Sequence, residues 1–260
     1  MDALIGYSGF VGSTLLKQRD FSSLYRSTNI GDIKGKQFDT IICAGAPAQK
    51  WLANKEPQDD LNKINSLIEI LKTVECKKFI LISTVDVFHN PVDIDETSEV
   101  DTKGLHAYGL HRFYLEQFVK SNFDDSLIIR LPGLIGPGLK KNIIYDFLHN
   151  NNISQIESRG TFQFYPMINL WSDIQIALNN YLKLVHFTCE PISVADVARQ
   201  GFGFEFENHV SNNPGNYNLK TIYGPLFDGS EGYQYNRRES LMAIRAYAQS
   251  EPMCNVDTSK

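Results

Sequence analysis

A glycine-rich turn near the start of the chain carries the clearest chemical signal. Gly6, Gly9 and Gly12 follow the short apolar run 2–5 and open a helical pattern over about 10–19. In such a turn the first glycine allows a tight bend, the second lets backbone approach a pyrophosphate, and the third lets helix pack on strand. The N–H groups at the helix start also favour phosphate. The pattern therefore predicts a dinucleotide site.

A threonine, a tyrosine and an arginine form a second group that could do chemistry. Tyr108 and Arg112 are four residues apart in a helical pattern over 107–121, so they share a helix face. Thr84 ends an apolar strand. A free phenol has a pKa near ~10, and a nearby cation lowers it. The group fits an acid/base tyrosine helped by a hydroxyl donor. On spacing alone, an interior tyrosine, a surface arginine and a strand-end threonine are the commoner explanation.

Alternating apolar strands and helical segments must position these residues. Continuous apolar strands between helices indicate a parallel sheet covered on both faces, because helical crossovers lie against each side. The fold class is therefore α/β, a Rossmann-type doubly wound parallel sheet. The predicted strands are 2–5, one within 22–25, 39–43, 78–83 and 126–130, and the predicted helices are 10–19, about 58–74 and 107–121.

The alternation ends after Gly133, and a mixed region follows. Residues 1–138 are assigned to a dinucleotide-binding domain, 139–250 to a smaller mixed C-terminal substrate lobe interleaved with the sheet, and 251–260 to a disordered tail. The lobe is expected to lie over the carboxyl edge of the sheet, where such folds bind ligands. Its predicted elements are helices at 142–149, 172–184, 194–201 and 238–248, a strand at 162–166 and a loop at 208–216.

Composition excludes several classes of protein. The 260 residues are 42% hydrophobic and 21% charged with net charge −5, an ordinary globular balance that argues against a nucleic-acid surface. The chain lacks an apolar run of the roughly 18 residues needed to span a membrane, and no leader is expected before the first strand. His89 and His111 lack partners at metal spacing, so no metal site is expected. The scattered cysteines, expected as free thiols of a cytoplasmic protein, are Cys43, Cys76, Cys189 and Cys254.

Three motifs in order resemble the extended branch of the short-chain dehydrogenase/reductase superfamily, the NAD-dependent epimerases and dehydratases. They are the glycine turn 6–12, the strand-end stretch 82–88 with Thr84, and 108–112, which resembles the Tyr-x-x-x-Lys signature. Weaker similarities are 43–45 and 130–138. The resemblance covers residues 1 to about 138 and is nearest in character to nucleotide-sugar reductases and epimerases of polysaccharide biosynthesis, such as the dTDP-4-dehydrorhamnose reductases.

The resemblance implies a role for each matching residue. Tyr108 would give or take the proton, Thr84 would polarise the carbonyl, and Arg112 would hold the ribose hydroxyls and tune Tyr108, while hydride passes between nicotinamide and a sugar carbon. Substrate contacts would be Asp86, Phe88 and Gly133. The implied cofactor-binding residues are Gly6, Ser8, Gly9, Phe10, Val11, Gly12, Arg26, Ser27, Ala44, Gly45, Ala46, Tyr108, Arg112 and Pro132.

Three departures from the family pattern leave two hypotheses open. Arg112 stands where the family has lysine, and its planar fork is aimed differently. Gly133 replaces a frequent asparagine, and Val85 replaces an acid of the dehydratases, which disfavours dehydration. The first hypothesis is an NADP(H)-dependent reductase or epimerase of a nucleotide-linked sugar, an oxidoreductase. The alternative is a non-catalytic NADP-binding regulatory or sensor protein.

The end of the second strand bears on the choice of cofactor. An acid there would bond the ribose 2′-hydroxyl of NAD, but Arg26 and Ser27 follow instead and could grip a 2′-phosphate. NADP is therefore favoured, with NAD as the alternative. The apolar stripes of helices 58–74 and 107–121 fit either a homodimer interface or core packing, and the predicted partner is otherwise a nucleotide-sugar substrate.

Overall fold

A central sheet of six parallel strands organises residues 1–252, which are the residues that this computed structural model describes. Residues 253–260, which include Cys254 and most of the expected tail, lie outside them. The strands are β1 (Asp2–Ile5), β2 (Ser23–Tyr25), β3 (Gln37–Cys43), β4 (Glu75–Thr84), β5 (Val92–Ile94), β6 (Ser126–Leu131), β7 (Gly133–Ile135), β8 (Thr161–Phe162), β9 (Phe164–Pro166), β10 (Leu184–His186), β11 (Ile192–Ser193) and β12 (Asn218–Leu219). The helices are α1 (Phe10–Gln18), α2 (Lys50–Lys55), α3 (Pro57–Leu71), α4 (Ala107–Asn122), α5 (Ile143–His149), α6 (Leu170–Asn179), α7 (Val194–Asp196) and α8 (Arg237–Ser250).

Both faces of this sheet are covered, which confirms the predicted doubly wound fold. On one face, Ile41 and Phe79 pack against Ile64 of α3 and Leu115 of α4. On the other face, Leu4 and Ile42 pack against α1 and α6. Alternate residues of each strand point to opposite sides, so every central strand contributes to both layers.

The strand order is β2-β1-β3-β4-β6-β10, with every neighbouring pair parallel. The chain runs outward from β1 in both directions, so the order reverses there. A crevice opens beyond the carboxyl ends of strands at such a point, and ligands of open α/β sheets bind in it.

A smaller lobe follows β6. Strand β7 pairs in parallel with β9, and β8 pairs antiparallel with β11. The apolar core of the lobe contains Ile144 of α5, Ile244 of α8 and Val197, which begins a π-helix at Val197–Phe202. The lobe is therefore packed around its own core beside the sheet.

The structure corrects three sequence predictions about this region and adds one helix earlier in the chain. The helix expected at 172–184 ends at Asn179, Tyr181 takes a positive φ of 55°, and Leu184 begins β10, the sixth strand of the sheet. The segment 162–166, predicted as one strand, forms two short strands. The segment 194–201, predicted as a helix, forms a short α-helix followed by the π-helix. Helix α2 was not predicted, because Lys50–Lys55 is too short for a helical repeat to show.

A buried charged network ties the two central strands to α4. Arg130 on β6 donates to both carboxylate oxygens of Glu116 on α4, at 3.0 and 2.7 Å, and the Ser83 hydroxyl donates to the same carboxylate at 2.6 Å. Each charge is neutralised inside the protein, which buried ions require. The network fixes α4 directly beneath the carboxyl end of β4. Among residues 1–252, no helix is long and apolar enough to cross a membrane.

Candidate functional site

Most of the residues singled out from the sequence come together at the carboxyl edge of the sheet. The glycine turn follows β1, Arg26 follows β2, residues 44–46 follow β3, Thr84 ends β4, and Pro132 follows β6. Parallel strands place these segments side by side, although they are far apart in sequence.

The turn after β1 leaves no space for side chains at two of its glycines. Gly6 has a φ of +87°, and a Cβ there would lie 2.3 Å from the Ala44 carbonyl oxygen. A Cβ on Gly12 would lie 2.1 Å from the Gly6 carbonyl oxygen, so only glycine lets α1 approach the turn this closely. Gly9 is exposed, and as the N-cap of α1 it has no side chain to cover the helix N–H groups. The result is an open cradle at a helix N-terminus, which fits a phosphate group.

Close packing of α4 on the end of β4 brings Tyr108 to the edge of the sheet. A Cβ on Gly109 would lie 2.1 Å from the Asp86 carbonyl oxygen, so the first turn of α4 rests directly on the segment after Thr84. The Nδ1 atom of His106 accepts a hydrogen bond from the Gly109 N–H at 3.0 Å and caps the helix. The Thr84 hydroxyl accepts one from the Asp86 N–H at 3.1 Å, and the Thr84 side chain lies beside the phenol of Tyr108.

Arg112 lies on the same helix face as Tyr108, which confirms the prediction from their spacing. Its guanidinium carbon is 4.0 Å from the centroid of the Tyr108 ring. The guanidinium nevertheless belongs to a buried ion pair: Nη1 and Nη2 donate to the two oxygens of Asp60 at 2.5 and 2.8 Å. The other terminal N–H bonds go to the carbonyl oxygens of Tyr108 and Pro47.

This arrangement bears on the prediction that Arg112 holds the ribose hydroxyls. Its terminal N–H groups are already used, and the side chain is only 3% exposed. Within residues 1–252, the Nε atom has no hydrogen-bond partner and is the donor left over. His111 also bonds Asp60, at 2.7 Å, so Asp60 is the shared anchor of two side chains of α4.

The pKa of Tyr108 is raised above its ordinary value of 10.0, mainly because the phenol is desolvated. The Arg112 charge opposes this rise, Asp86 adds to it, and Lys50 and Thr84 oppose it more weakly. The expectation of a lowered pKa is therefore wrong in net direction, since desolvation outweighs the cation. At neutral pH the phenol is protonated and suited to donate.

Three side chains from separate segments meet beside Tyr108. The Lys50 ammonium of α2 donates to Asp86 Oδ1 at 2.8 Å and to the Tyr217 hydroxyl at 3.1 Å. The Tyr217 hydroxyl donates to the same Asp86 oxygen at 2.9 Å. Tyr217 belongs to the C-terminal lobe and packs on Phe162, with ring centroids 5.5 Å apart. This Lys50–Asp86–Tyr217 cluster joins the sheet edge to the lobe.

Two predicted substrate contacts are closely packed, whereas the predicted cofactor contact Arg26 is exposed. A Cβ on Gly133 would lie 2.6 Å from the Gln163 carbonyl oxygen, which explains glycine at that position. The Phe88 ring is 5% exposed and packs over the Arg130 guanidinium at 5.0 Å, so it supports the sheet edge from within. Arg26 is exposed, lies 5.9 Å from the Tyr7 ring centroid and donates to the Thr28 hydroxyl.

Sequence reasoning missed four residues of this region. Asp60, Lys50, Asn54 and Tyr217 all contact the tyrosine or its neighbours through side chains. Lys50 and Asn54 follow the third strand closely, at the edge where ligands bind, and that position was a usable signal. Tyr217 lies in the lobe, where no motif marks it.

Comparison with known proteins gives a family and a fold. The model of the NAD dependent epimerase/dehydratase family matches residues 3–174. No curated protein sequence matches the chain significantly.

Solved structures share the whole architecture at low sequence identity. A dTDP-4-dehydrorhamnose reductase from Clostridium acetobutylicum has a TM-score of 0.70 at 16% identity, over 96% of this chain and 99% of that one. The UDP-glucose 4-epimerase from Thermotoga maritima, solved with UDP-glucose, gives 0.69 at 14%, over 96% and 99%. RMD from Pseudomonas aeruginosa, complexed with NADPH, gives 0.64 at 16%, over 96% and 100%. These likenesses concern the fold.

Proposed function

The chain belongs to the NAD-dependent epimerase/dehydratase family, and on that basis we propose that it is an NADP(H)-dependent reductase or epimerase of a nucleotide-linked sugar. One observation carries the proposal: Tyr108 and Thr84 lie side by side at the sheet edge that also holds the glycine cradle. The similar structures include a sugar-nucleotide epimerase with UDP-glucose and a protein with NADPH, which supports both halves of the assignment.

The residues at the cradle fit a dinucleotide. The exclusion of Cβ atoms at Gly6 and Gly12 and the open N-terminus of α1 suit a pyrophosphate. When bound, the nicotinamide would supply or accept the hydride. Of the predicted cofactor contacts, Ala44 and Gly45 lie directly against this turn, since a Cβ on Gly6 would meet the backbone of both.

The raised pKa of Tyr108 keeps its phenol protonated at neutral pH, so a proton is present for the reduction of a carbonyl. As hydride reaches the carbonyl carbon, the phenol O–H bond breaks and its proton passes to the carbonyl oxygen. The Thr84 hydroxyl would polarise that carbonyl by donating a hydrogen bond to it. Asp86, which follows Thr84, and Gly133, which begins β7, are the proposed substrate contacts.

The proposed preference for NADP rests on Arg26 and Ser27. Both are exposed directly after β2, the position from which a side chain reaches the 2′ group of the adenosine ribose. A guanidinium there suits a phosphate better than a hydroxyl.

Cofactor titration followed by a substrate panel tests this proposal. Purified protein is titrated with NADPH and NADH by fluorescence, and nucleotide-linked keto sugars are then added to the bound complex. We expect preferential NADPH binding and oxidation by one sugar. Tyr108→Phe should keep NADPH binding and lower turnover about 10³-fold. Unchanged turnover in that variant would disprove the assignment.

The buried position of Arg112 favours a second candidate, the non-catalytic NADP-binding regulator. A guanidinium held by Asp60 and Pro47 does not offer the donors that a ribose needs at this place. This candidate predicts NADPH binding without hydride transfer to any sugar and a stable protein partner. Activity gained in Arg112→Lys would instead indicate an enzyme that has lost its lysine.

The predicted homodimer stays a prediction. Ile64 and Leu67 of α3 and Leu115 and Val119 of α4 pack into the sheet's own core. The apolar stripes noted in the sequence are therefore used within one chain. Sedimentation of the purified protein would give its state of association.

A further inference from the structure

The site contains a lysine, although not at the position where the family signature has one. Arg112 occupies that position, where it pairs with the Asp60 carboxylate and donates to a backbone carbonyl oxygen. Lys50 comes from α2 and lies outside the motifs that assign residues to the site. Its ammonium group lies in the cluster with Asp86 and Tyr217.

Helix α2 faces Tyr108 because of Asn54. The Asn54 side-chain oxygen accepts a hydrogen bond from the Tyr108 backbone N–H at 3.0 Å. Lys50 precedes Asn54 by four residues in the same helix, so both side chains leave the same face. The contact that fixes the first turn of α4 therefore also directs Lys50 toward the phenol.

The Asp86 contact completes this placement from the other side. The Asp86 backbone packs against Gly109, next to Tyr108, and its side chain holds the Lys50 ammonium at 2.8 Å. The Lys50 side chain is 38% exposed, whereas that of Arg112 is 3% exposed. Of these two cations, Lys50 is the more exposed to the cleft.

The ionic state of Lys50 agrees with such a role. Desolvation lowers its pKa, but Asp86 and Tyr217 together raise it above the ordinary value of 10.5. The side chain is therefore fully charged at neutral pH. Its charge also favours the phenolate form of Tyr108.

We propose that Lys50 is a positioning residue whose charge adds to that of Arg112 in stabilising the phenolate of Tyr108 after proton donation. This inference rests on the proposed function, in which the phenol O–H bond breaks, the proton bonds to the substrate oxygen, and the phenolate is reprotonated from water. The Lys50 ammonium keeps its own protons throughout and acts by its charge.

Incorporation of 3,5-difluorotyrosine at position 108 tests the inference without any substrate. The phenol of difluorotyrosine is more acidic than that of tyrosine, so fluorine NMR can follow its titration within the pH range in which the protein is folded. We expect Lys50→Met to raise the titration midpoint by about one pH unit, because an opposite charge is removed. Lys50→Arg should restore most of the shift, since it keeps the charge.

Lys63→Met is the matched control, because Lys63 pairs with Asp59 on the surface of α3. It should leave the midpoint unchanged. A midpoint in Lys50→Met equal to that of the parent protein would overturn the inference, whatever the activity. If the midpoint shifts as expected but no sugar is reduced, the proposed function fails while the assignment of Lys50 holds.

Discussion

The carboxylate of Asp60 is the most revealing single group to remove. It lies 5% exposed under α4 and binds both Arg112 and His111. Asp60→Asn keeps the size of the side chain but removes its charge, and an amide can accept only on one side. The Arg112 guanidinium is then left buried without a counter-ion.

Removing one partner of a buried ion pair costs about 3 kcal/mol, since the remaining charge keeps its desolvation penalty. This corresponds to about two powers of ten in the folding equilibrium. For a chain of this size, we expect the urea midpoint to fall by about 1 M. Asp59→Asn is the control. Asp59, the neighbour of Asp60 on α3, pairs with exposed Lys63, so the urea midpoint of this variant should barely move.

Urea unfolding of the parent, both variants and the double variant Asp60→Asn/Arg112→Met measures the effect. The double variant should be more stable than the sum of its single changes predicts, because it removes the orphaned charge too. Hydrogen bonds from Arg112 and His111 hold the pKa of Asp60 below 3.8 against desolvation, which would raise it. Its stabilising contribution is therefore present above pH 3.8 and lost as the pH falls below that value. An Asp60→Asn midpoint no lower than that of Asp59→Asn would refute this reasoning.

Three other changes test separate parts of the structure. Gly6→Ala should destabilise the protein by about 3 kcal/mol in thermal unfolding and abolish cofactor binding. Gly35→Ala is its control: Gly35 also has a positive φ, but a Cβ there meets open space, so the change should cost about 1 kcal/mol. Arg26→Ala should weaken NADPH binding about tenfold and leave NADH binding unchanged by fluorescence titration; equal losses would remove Arg26 from the 2′ site. Burial raises the pKa of Asp173 from 3.8 to about 6, so the folded protein holds this proton more tightly than the unfolded chain and loses stability as the pH rises from 4 to 6. Asp173→Asn should lack that slope in urea midpoints measured across this range, and an identical slope would contradict the assignment.

The fold could be predicted where apolar runs were long and bounded by clear turns. Strands β1, β3, β4 and β6 were found because each is a continuous buried run between helices. Strand β10 was missed because Leu184–His186 is short and follows a helix without glycine or proline between them. Its position is decided by pairing with β6, which is a tertiary contact.

The candidate site was predictable where spacing along one element fixed geometry. Tyr108 and Arg112 share a helix face by the helical repeat alone. The net effect on the Tyr108 pKa was not predictable, because desolvation depends on what surrounds the phenol. The ion pair between Arg112 and Asp60 could not be predicted from the sequence either, since it joins two helices that only tertiary packing brings together.

Strand β10 also limits how this chain can be divided. It covers one side of β6, whose six residues are all buried, yet it comes from beyond residue 138. A fragment that stopped at the boundary between the two assigned domains would present β6 as a naked edge, with unpaired N–H and C=O groups in an apolar setting. Such edges recruit other chains and cause self-association. The half predicted to bind a dinucleotide is therefore not expected to be an autonomous module, and fragments for expression or domain exchange should retain the chain through His186.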